Sequence, residues 1–337
     1  MRPRRRVLFH RSWTSPTGGS SGGQMKVRDA FEHIRHSPLF EPFVYFGPHT
    51  VWTDYPGNVW QPYRHLGLDR WEIRPDDLLF FSGMDWEILP EAQRRNPPVP
   101  VLHIAQPRHT RPGDKRHAFL AHPAIRIAKS GEGKRILEEY GVNGPLYLIP
   151  DAIDLRDLPP PHPQPDLDVL IVGLKNQPLA ETLYRRLKRH ARWRLRSWRI
   201  ERQVPPALPT RQDFLRLVNR ARIVAYLPLT EDRGSEGFYL PALEGMAMGK
   251  LVICPYAVGN SDFCLPGVTC LQPEYREDDI FRAILEALSM PESRRSTMIH
   301  AAHRIVSGHT LENERESLLN LIHQADAIWN QTDLFRR

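Results

Sequence analysis

Short apolar runs alternate with amphipathic stretches along this chain, stop at a proline-rich interruption, and then start again. In the first half "RRVLFH" (5–10), "FEPFVYFG" (40–47), "DDLLFFSG" (76–83), "VPVLHIAQ" (99–106), "AIRIAKS" (124–130) and "LYLIPDAI" (146–153) read as buried strands. Between them "MKVRDAFEHIRH" (25–36) and "GEGKRILEEYGV" (131–142) read as helices, the second stopped by Gly141. Strands that keep returning through helices predict a parallel, doubly wound α/β sheet. Then comes "LPPPHPQPD" (158–166), where prolines fix φ and remove backbone donors, so that it reads as a stiff linker.

After the linker the alternation restarts. "LDVLIVG" is a strand, "PLAETLYRRLKRH" a helix, "RWRLRSW" (192–198) a strand of period two, and "TRQDFLRLVNRA" a helix. "RIVAYLPL" and "KLVICPY" continue the second sheet, followed by the amphipathic helices "EDDIFRAILEALS" and "RRSTMIHAAHRIV". "LENERESLLNLIHQADAIW" (311–329) reads as one long helix after that sheet has ended. The expected organisation is two α/β domains in tandem, 1–157 and 158–310, with 311–337 as a terminal helix. At 337 residues, 41% of them hydrophobic, each domain has material for its own core.

Several function classes drop out. No apolar run approaches the roughly 18–20 residues of a membrane-spanning helix, and "MRPRRRVLFHRSW" lacks the apolar stretch of a secretory signal. Cys254, Cys264 and Cys270 have no C-x-x-C spacing, so neither a disulfide framework nor a zinc site is indicated and a reducing cytoplasm is expected. Net charge is +7, which favours anionic partners: nucleotides, phosphorylated substrates, anionic lipid or nucleic acid.

One stretch carries more chemistry than the rest. "SEGFYLPALEGMAMGK" (235–250) follows the strand that ends at Leu229, on the sheet edge where open α/β folds bind ligands. Pro241 suits a first helical position, and Gly249 a C-terminal cap. The helix then begins with free amides at Gly237, Phe238 and Tyr239, an arrangement that attracts phosphate. Glu236 stands in the loop beside that end and Glu244 in the first turn. Two carboxylates repel phosphate, but they accept hydrogen bonds from hydroxyls on either side of a diphosphate, which is the shape of a nucleotide sugar. Spacing alone equally allows a loop charge and a helix-dipole residue.

The segment "EGFYLPALEGMAMGKLVICPYAVGNSDFCLPGVTCLQP" resembles the donor-site signature of GT-B glycosyltransferases of the family-4 (group 1) type, E-G-F-G-L-P-x-x-E-A-M-A-x-G. "LYLIPDAID" (146–154) resembles that family's interdomain "v-I-P-N-G-I-D", and the matches run in order from about residue 125 to 290. The resemblance implies two Rossmann-like, doubly wound domains facing across a cleft, with the C-terminal helix crossing back to the first. It implies that Glu236 contacts hydroxyls of the donor hexose and Glu244 the ribose, while the amides of Phe238 and Tyr239 meet the diphosphate. Gly237 and Leu240 fall on the same signature, and Asn260 on its glycine-rich turn. Lys175 is the natural cation for the leaving diphosphate, and Arg233 the substitute for the arginine that the family places where Leu174 stands. Tyr239 replaces the usual glycine and Gly245 the usual alanine. The class needs no metal or cofactor, and "DLD" (166–168) at a strand start is incidental.

Weaker signals complete the reading. Gly22 and Gly23 lie in the glycine-rich loop after the first strand, where backbone can approach a ligand. His103, Gln106 and His109 lie at the end of an N-domain strand, where the resembled family often has a histidine that contacts the donor sugar. His109, past the strand end, is the candidate for that contact or for assisting acceptor deprotonation. "YRRLKRHARWRLRSWR" (184–199) is the densest basic stretch. Its alternation makes the tryptophans core and the arginines a solvated face; peripheral contact with an anionic membrane at its inner face is the intermediate reading, and nucleic acid the least favoured. The sequence thus points to transfer of a hexose-type sugar from a nucleotide donor to a saccharide or lipid-linked acceptor, with retention. The rivals are a GT-B epimerase or phosphorylase and a basic nucleic-acid-binding protein.

Overall fold

The computed structural model describes residues 4–55, 57–160, 162, 164–229 and 236–336. Ten strands are present among them: β1 (Arg5–Arg11), β2 (Phe40–Phe46), β3 (Leu78–Ser82), β4 (Val101–Ile104), β5 (Ile125–Ala128), β6 (Leu146–Leu148), β7 (Leu167–Val172), β8 (Ile200–Gln203), β9 (Ala221–Tyr226) and β10 (Leu251–Ile253). The helices are α1 (Gly22–Arg35), α2 (Glu91–Arg95), α3 (Pro107–Thr110), α4 (Gly131–Tyr140), α5 (Gln177–Trp193), α6 (Arg211–Asn219), α7 (Leu240–Ala247), α8 (Glu277–Ser289), α9 (Glu292–Val306), α10 (Leu311–His323) and α11 (Ala325–Trp329).

The chain forms two compact units, Met1–Asp151 with Glu312–Arg337, and Ala152–Leu311. Each is built on its own sheet, ordered β2-β1-β3-β4-β5-β6 in the first and β10-β9-β7-β8 in the second. Every strand pair is parallel, as the repeated helical crossovers require. In each sheet the order reverses once, between β1 and β3 and between β7 and β9, and such switch points are where open α/β sheets bind ligands. The crossing at Asp151–Ala152 lies ahead of the proline-rich segment, which packs within the second unit: Asn219 Nδ2 donates to the Pro160 carbonyl at 2.7 Å.

Local chemistry fixes the element ends. Ser21 and Ser130 cap α1 and α4 by accepting from the amides of Gln24 and Gly133, and Thr210 with Asp213 makes a capping box on α6. Gly141 ends α4 with φ at +76°, as its place in the sequence predicts. Two sequence expectations fail. The period-two stretch 192–198 is no strand, because α5 runs on through Trp193 and β8 starts only at Ile200. The terminal helix is two, α10 and α11, with the break at Gln324, whose amide turns back to the Leu321 carbonyl. That break lets Leu318, Leu321, Ile322, Ala325, Ile328 and Phe335 all enter the first unit's core beside Val7, Phe9 and Phe80.

The same return segment carries a buried ionic cluster. Glu314 on α10 accepts from Lys26 of α1 at 2.7 Å and from Lys129 after β5 at 3.4 Å, with His33 at 3.4 Å. Lys26 also pairs with Asp29 at 2.8 Å, and Lys129 with Asp151 at 2.8 Å. Burial opposes both charges, but Lys26 and Lys129 outweigh it and hold the Glu314 carboxyl well below the carboxylate range; Glu314 and Asp29 likewise raise the Lys26 ammonium. Nearby, Arg126 is fully buried and donates to three carbonyls and to His103 Nδ1; burial lowers its guanidinium to about 9 and keeps His103 neutral.

These groups set the acid response. His103, and His122 lowered to about 4 by burial and Arg126, take up protons less readily folded than unfolded. Glu314 likewise stays ionised in the fold at a pH where the unfolded chain is protonated. All three therefore make stability fall with pH, from near 6.5 for the histidines and from near 4.5 for Glu314. Urea midpoints measured between pH 7 and about 4 should decline steadily, and more steeply below 4.5.

Candidate functional site

β9 and the residues that follow it organise the second unit's site. β9 is buried almost throughout and ends at Tyr226, so Leu227–Leu229 emerge at its C-terminal edge beside the switch point. There the Leu229 amide donates to Glu236 Oε1 at 3.1 Å. Arg233 lies outside the described residues. The Tyr275 hydroxyl donates to the Pro228 carbonyl at 2.7 Å and accepts from Asn176 at 3.4 Å. That bridge ties the loop after β7, which carries Leu174 and Lys175, to the end of β9. Lys175 is exposed, and among the described residues no carboxylate pairs with it.

α7 starts at Leu240 with Pro241 in its first turn and closes with Gly249 at φ +70°, as the sequence predicts. Glu236 precedes it and is 6% exposed; Glu244 is 3% exposed. Glu244 stands beyond the first turn rather than in it, and its burial does not suit a solvated helix-dipole charge. Its Oε1 accepts from Arg211 at the start of α6, from Nε at 3.1 Å and Nη2 at 2.5 Å, and Arg211 reaches Asp157 at 3.3 Å. One buried carboxylate thus precedes α7 and another lies within it, each already oriented by a donor.

The amides differ from expectation. Tyr239 N–H is not free, since it donates to the Gly259 carbonyl at 3.0 Å. Gly259 packs so closely that a Cβ there would come within 2.4 Å of the Phe238 nitrogen. Asn260, fully buried, spends its side chain inside that turn: Oδ1 accepts from Ala257 N–H at 2.9 Å, and Nδ2 donates to the Pro255 carbonyl at 3.0 Å. It shapes the turn rather than pointing outward. Gly237 and Leu240 are buried, and the Phe238 ring packs 5.3 Å from Phe263 and 5.7 Å from His309.

Tyr226 accounts for both departures within the motif. Its ring meets Tyr239 edge-on at 5.9 Å, and its hydroxyl sits where a Cβ on Gly245 would come within 2.5 Å. Burial pushes that phenol well up, and among the described residues its oxygen has no hydrogen-bond partner. Gly245→Ala should thus cost about 1–3 kcal/mol by overpacking, measured by urea unfolding, and Tyr226→Phe in the same chain should recover much of it. Tyr226 was missed because a tyrosine in a buried strand looks like core, and Arg211 because nothing local marks it.

The first unit has a cleft of about 520 Å³ at its own switch point, reached by the C-terminal ends of β1, β3 and β4. Arg11, Asp85, Gln106, His109 and Lys129 are among its walls. Asp85 accepts from Arg11 at 2.7 Å and from the Ser82 amide at 2.8 Å, with His10 Nδ1 at 3.3 Å. Gly23 lines this cleft; with Gly22 it opens α1 instead of forming a loop, and Cβ space beside Gly22 is open. His103 is committed to Arg126, whereas His109 stands on the short α3 at the cleft wall. The aspartates of "DLD" are structural, Asp166 on Arg220 and Asp168 on the Arg199 amide. No group of residues that could hold a metal ion is found among the described residues.

No family model matches the chain, and no curated protein matches it in sequence. Solved structures do match it in shape. A sucrose-phosphate synthase from Thermosynechococcus elongatus superposes with a TM-score of 0.67 at 15% identity, covering 96% of this chain and 100% of its own. HepE from Anabaena, in complex with UDP and glucose, gives a TM-score of 0.70 at 13% identity over 95% of this chain and 100% of its own. A glycosyltransferase from Rickettsia africae gives 0.63 at 14% identity over 97% and 99%. At such identities the likeness shows the fold, and the fold is GT-B: two Rossmann-like α/β units in one chain.

Proposed function

We propose that this protein is a glycosyltransferase of the family-4 type, moving a hexose-type sugar from a nucleoside-diphosphate sugar to a saccharide or lipid-linked acceptor. The observation that carries the reading is the pair Glu236 and Glu244, both buried and both held in place, the one ahead of α7 and the other within it. Hydroxyl groups are what two such carboxylates can grip, and the helix end between them suits the diphosphate that joins a sugar to a ribose. Glu236 takes the sugar and Glu244 the ribose. HepE, similar in fold, has been solved with UDP-glucose, which supports a donor of that chemical class.

In this reading the chemistry is charge stabilisation. As the bond from the sugar to the diphosphate breaks, negative charge grows on the phosphate, facing the Phe238 amide and the Lys175 ammonium. These groups bind the leaving group more tightly in the transition state than in the donor, which lowers the barrier without a metal. The acceptor binds in the first unit's cleft, with His109 at its wall, and the sugar leaves with retention of configuration.

The test is a panel of UDP-, GDP- and TDP-sugars read by thermal shift and by slow donor hydrolysis. At least one should raise Tm and be hydrolysed. If none does either, the transferase reading falls; if a donor is turned into another nucleotide sugar with no acceptor present, the protein is an epimerase.

A further inference from the structure

The basic stretch of α5 has no part in the donor site, and it ends in an exposed tip. α5 closes after Trp193, where the Arg196 amide donates back to the Ala191 carbonyl at 2.8 Å across a left-handed residue, Leu195, with φ at +51°. Glycine usually fills that position, because a Cβ there is strained. Here the strained residue is a leucine left 94% exposed, beside a tryptophan left 72% exposed. The expectation that Trp193 is core is therefore wrong, whereas Trp198 does pack half-buried against the second unit's core.

Charge around the tip is one-sided. Arg186 pairs with Glu277 and Asp278, and Arg202 with Glu181. Lys188, Arg189, Arg192, Arg194 and Arg196 are exposed, and among the described residues no carboxylate pairs with any of them. Arg194 instead lies over the Trp193 ring, 4.4 Å from its centroid.

We propose that this tip docks on an anionic lipid bilayer. Trp193 and Leu195 enter the interfacial layer, and the five unmatched cations meet anionic headgroups. Trp is an amphipathic ring suited to that depth, and exposed Leu gains only where apolar chains cover it. Single-stranded nucleic acid would satisfy the cations and stack on Trp193, but it leaves Leu195 in water without a partner. No helix of the described residues is long and apolar enough to cross a membrane, so the contact is peripheral. This inference rests on the surface alone and stands whether or not the donor reading does.

The experiment is flotation of the full chain with phosphatidylcholine vesicles, with and without phosphatidylglycerol, and Trp quenching by brominated acyl chains. The chain should float only with phosphatidylglycerol present, and quenching should be lost in Trp193→Phe. Replacing Lys188, Arg192 and Arg196 together by Ala should weaken binding about a hundredfold, at about a factor of five per cation. Leu195→Gly should weaken binding about tenfold while leaving Tm unchanged or raised, since glycine relieves the turn. Absence of vesicle binding overturns the proposal. So does binding that these variants leave intact, or variants that instead weaken binding to single-stranded RNA or to an acidic protein while vesicles go unbound.

Discussion

Glu314→Ala is expected to destabilise the fold by about 3–5 kcal/mol, the range found when one partner of a buried ion pair is removed. Its carboxylate is the shared acceptor of Lys26 and Lys129, both almost fully buried, and of His33. Without it Lys26 retains Asp29 and Lys129 retains Asp151, and both buried ammonium groups lose the carboxylate they share. Urea unfolding reads the loss, and α10 amides should exchange faster than those of β3, because α10 is the element the cluster fastens to the first unit. Glu314→Gln, which retains acceptor capacity on one oxygen, should lose less. An Ala variant within about 1 kcal/mol of the parent would show that the cluster is neutral in net effect.

Glu244→Ala carries the other large effect, on binding rather than stability. A carboxylate receiving two hydroxyl donors contributes about 1.5–3 kcal/mol per charged hydrogen bond, so donor affinity should fall at least a hundredfold. The fold should survive, because Arg211 is part-exposed and retains Asp157. Arg211→Ala should weaken donor binding less, since it orients Glu244 without touching the ligand. Calorimetric titration of whichever nucleotide sugar raises Tm in the panel would measure all three chains, and equal affinities would remove Glu244 from the site.

Much of the fold was legible because β3, β4, β7 and β9 are apolar runs buried nearly end to end. Alternation misled at 192–198, since a period of two signals a strand only when one face is covered, and here both faces meet water. The break between α10 and α11 was hidden because a helical pattern continues across it, and core contacts, not local propensity, set the turn at Gln324. In the candidate site, the two glutamates stood out through the motif's resemblance to a family signature, since their spacing alone equally allowed a loop charge and a helix-dipole residue. Arg211 did not, lying 33 residues away on another helix, nor did the Lys26–Glu314 pair, 288 residues apart. Charged side chains in amphipathic helices read as solvated unless the fold is known, and the fold is what buries these.

The most direct measurement compares a nucleotide sugar with its bare nucleoside diphosphate on the parent chain, Glu236→Ala and Glu244→Ala. If the two carboxylates hold opposite ends of one donor, Glu244→Ala loses affinity for both ligands. Glu236→Ala then loses it for the nucleotide sugar and keeps it for the diphosphate. Equal losses for both ligands in both variants, or no loss in either, would contradict that arrangement.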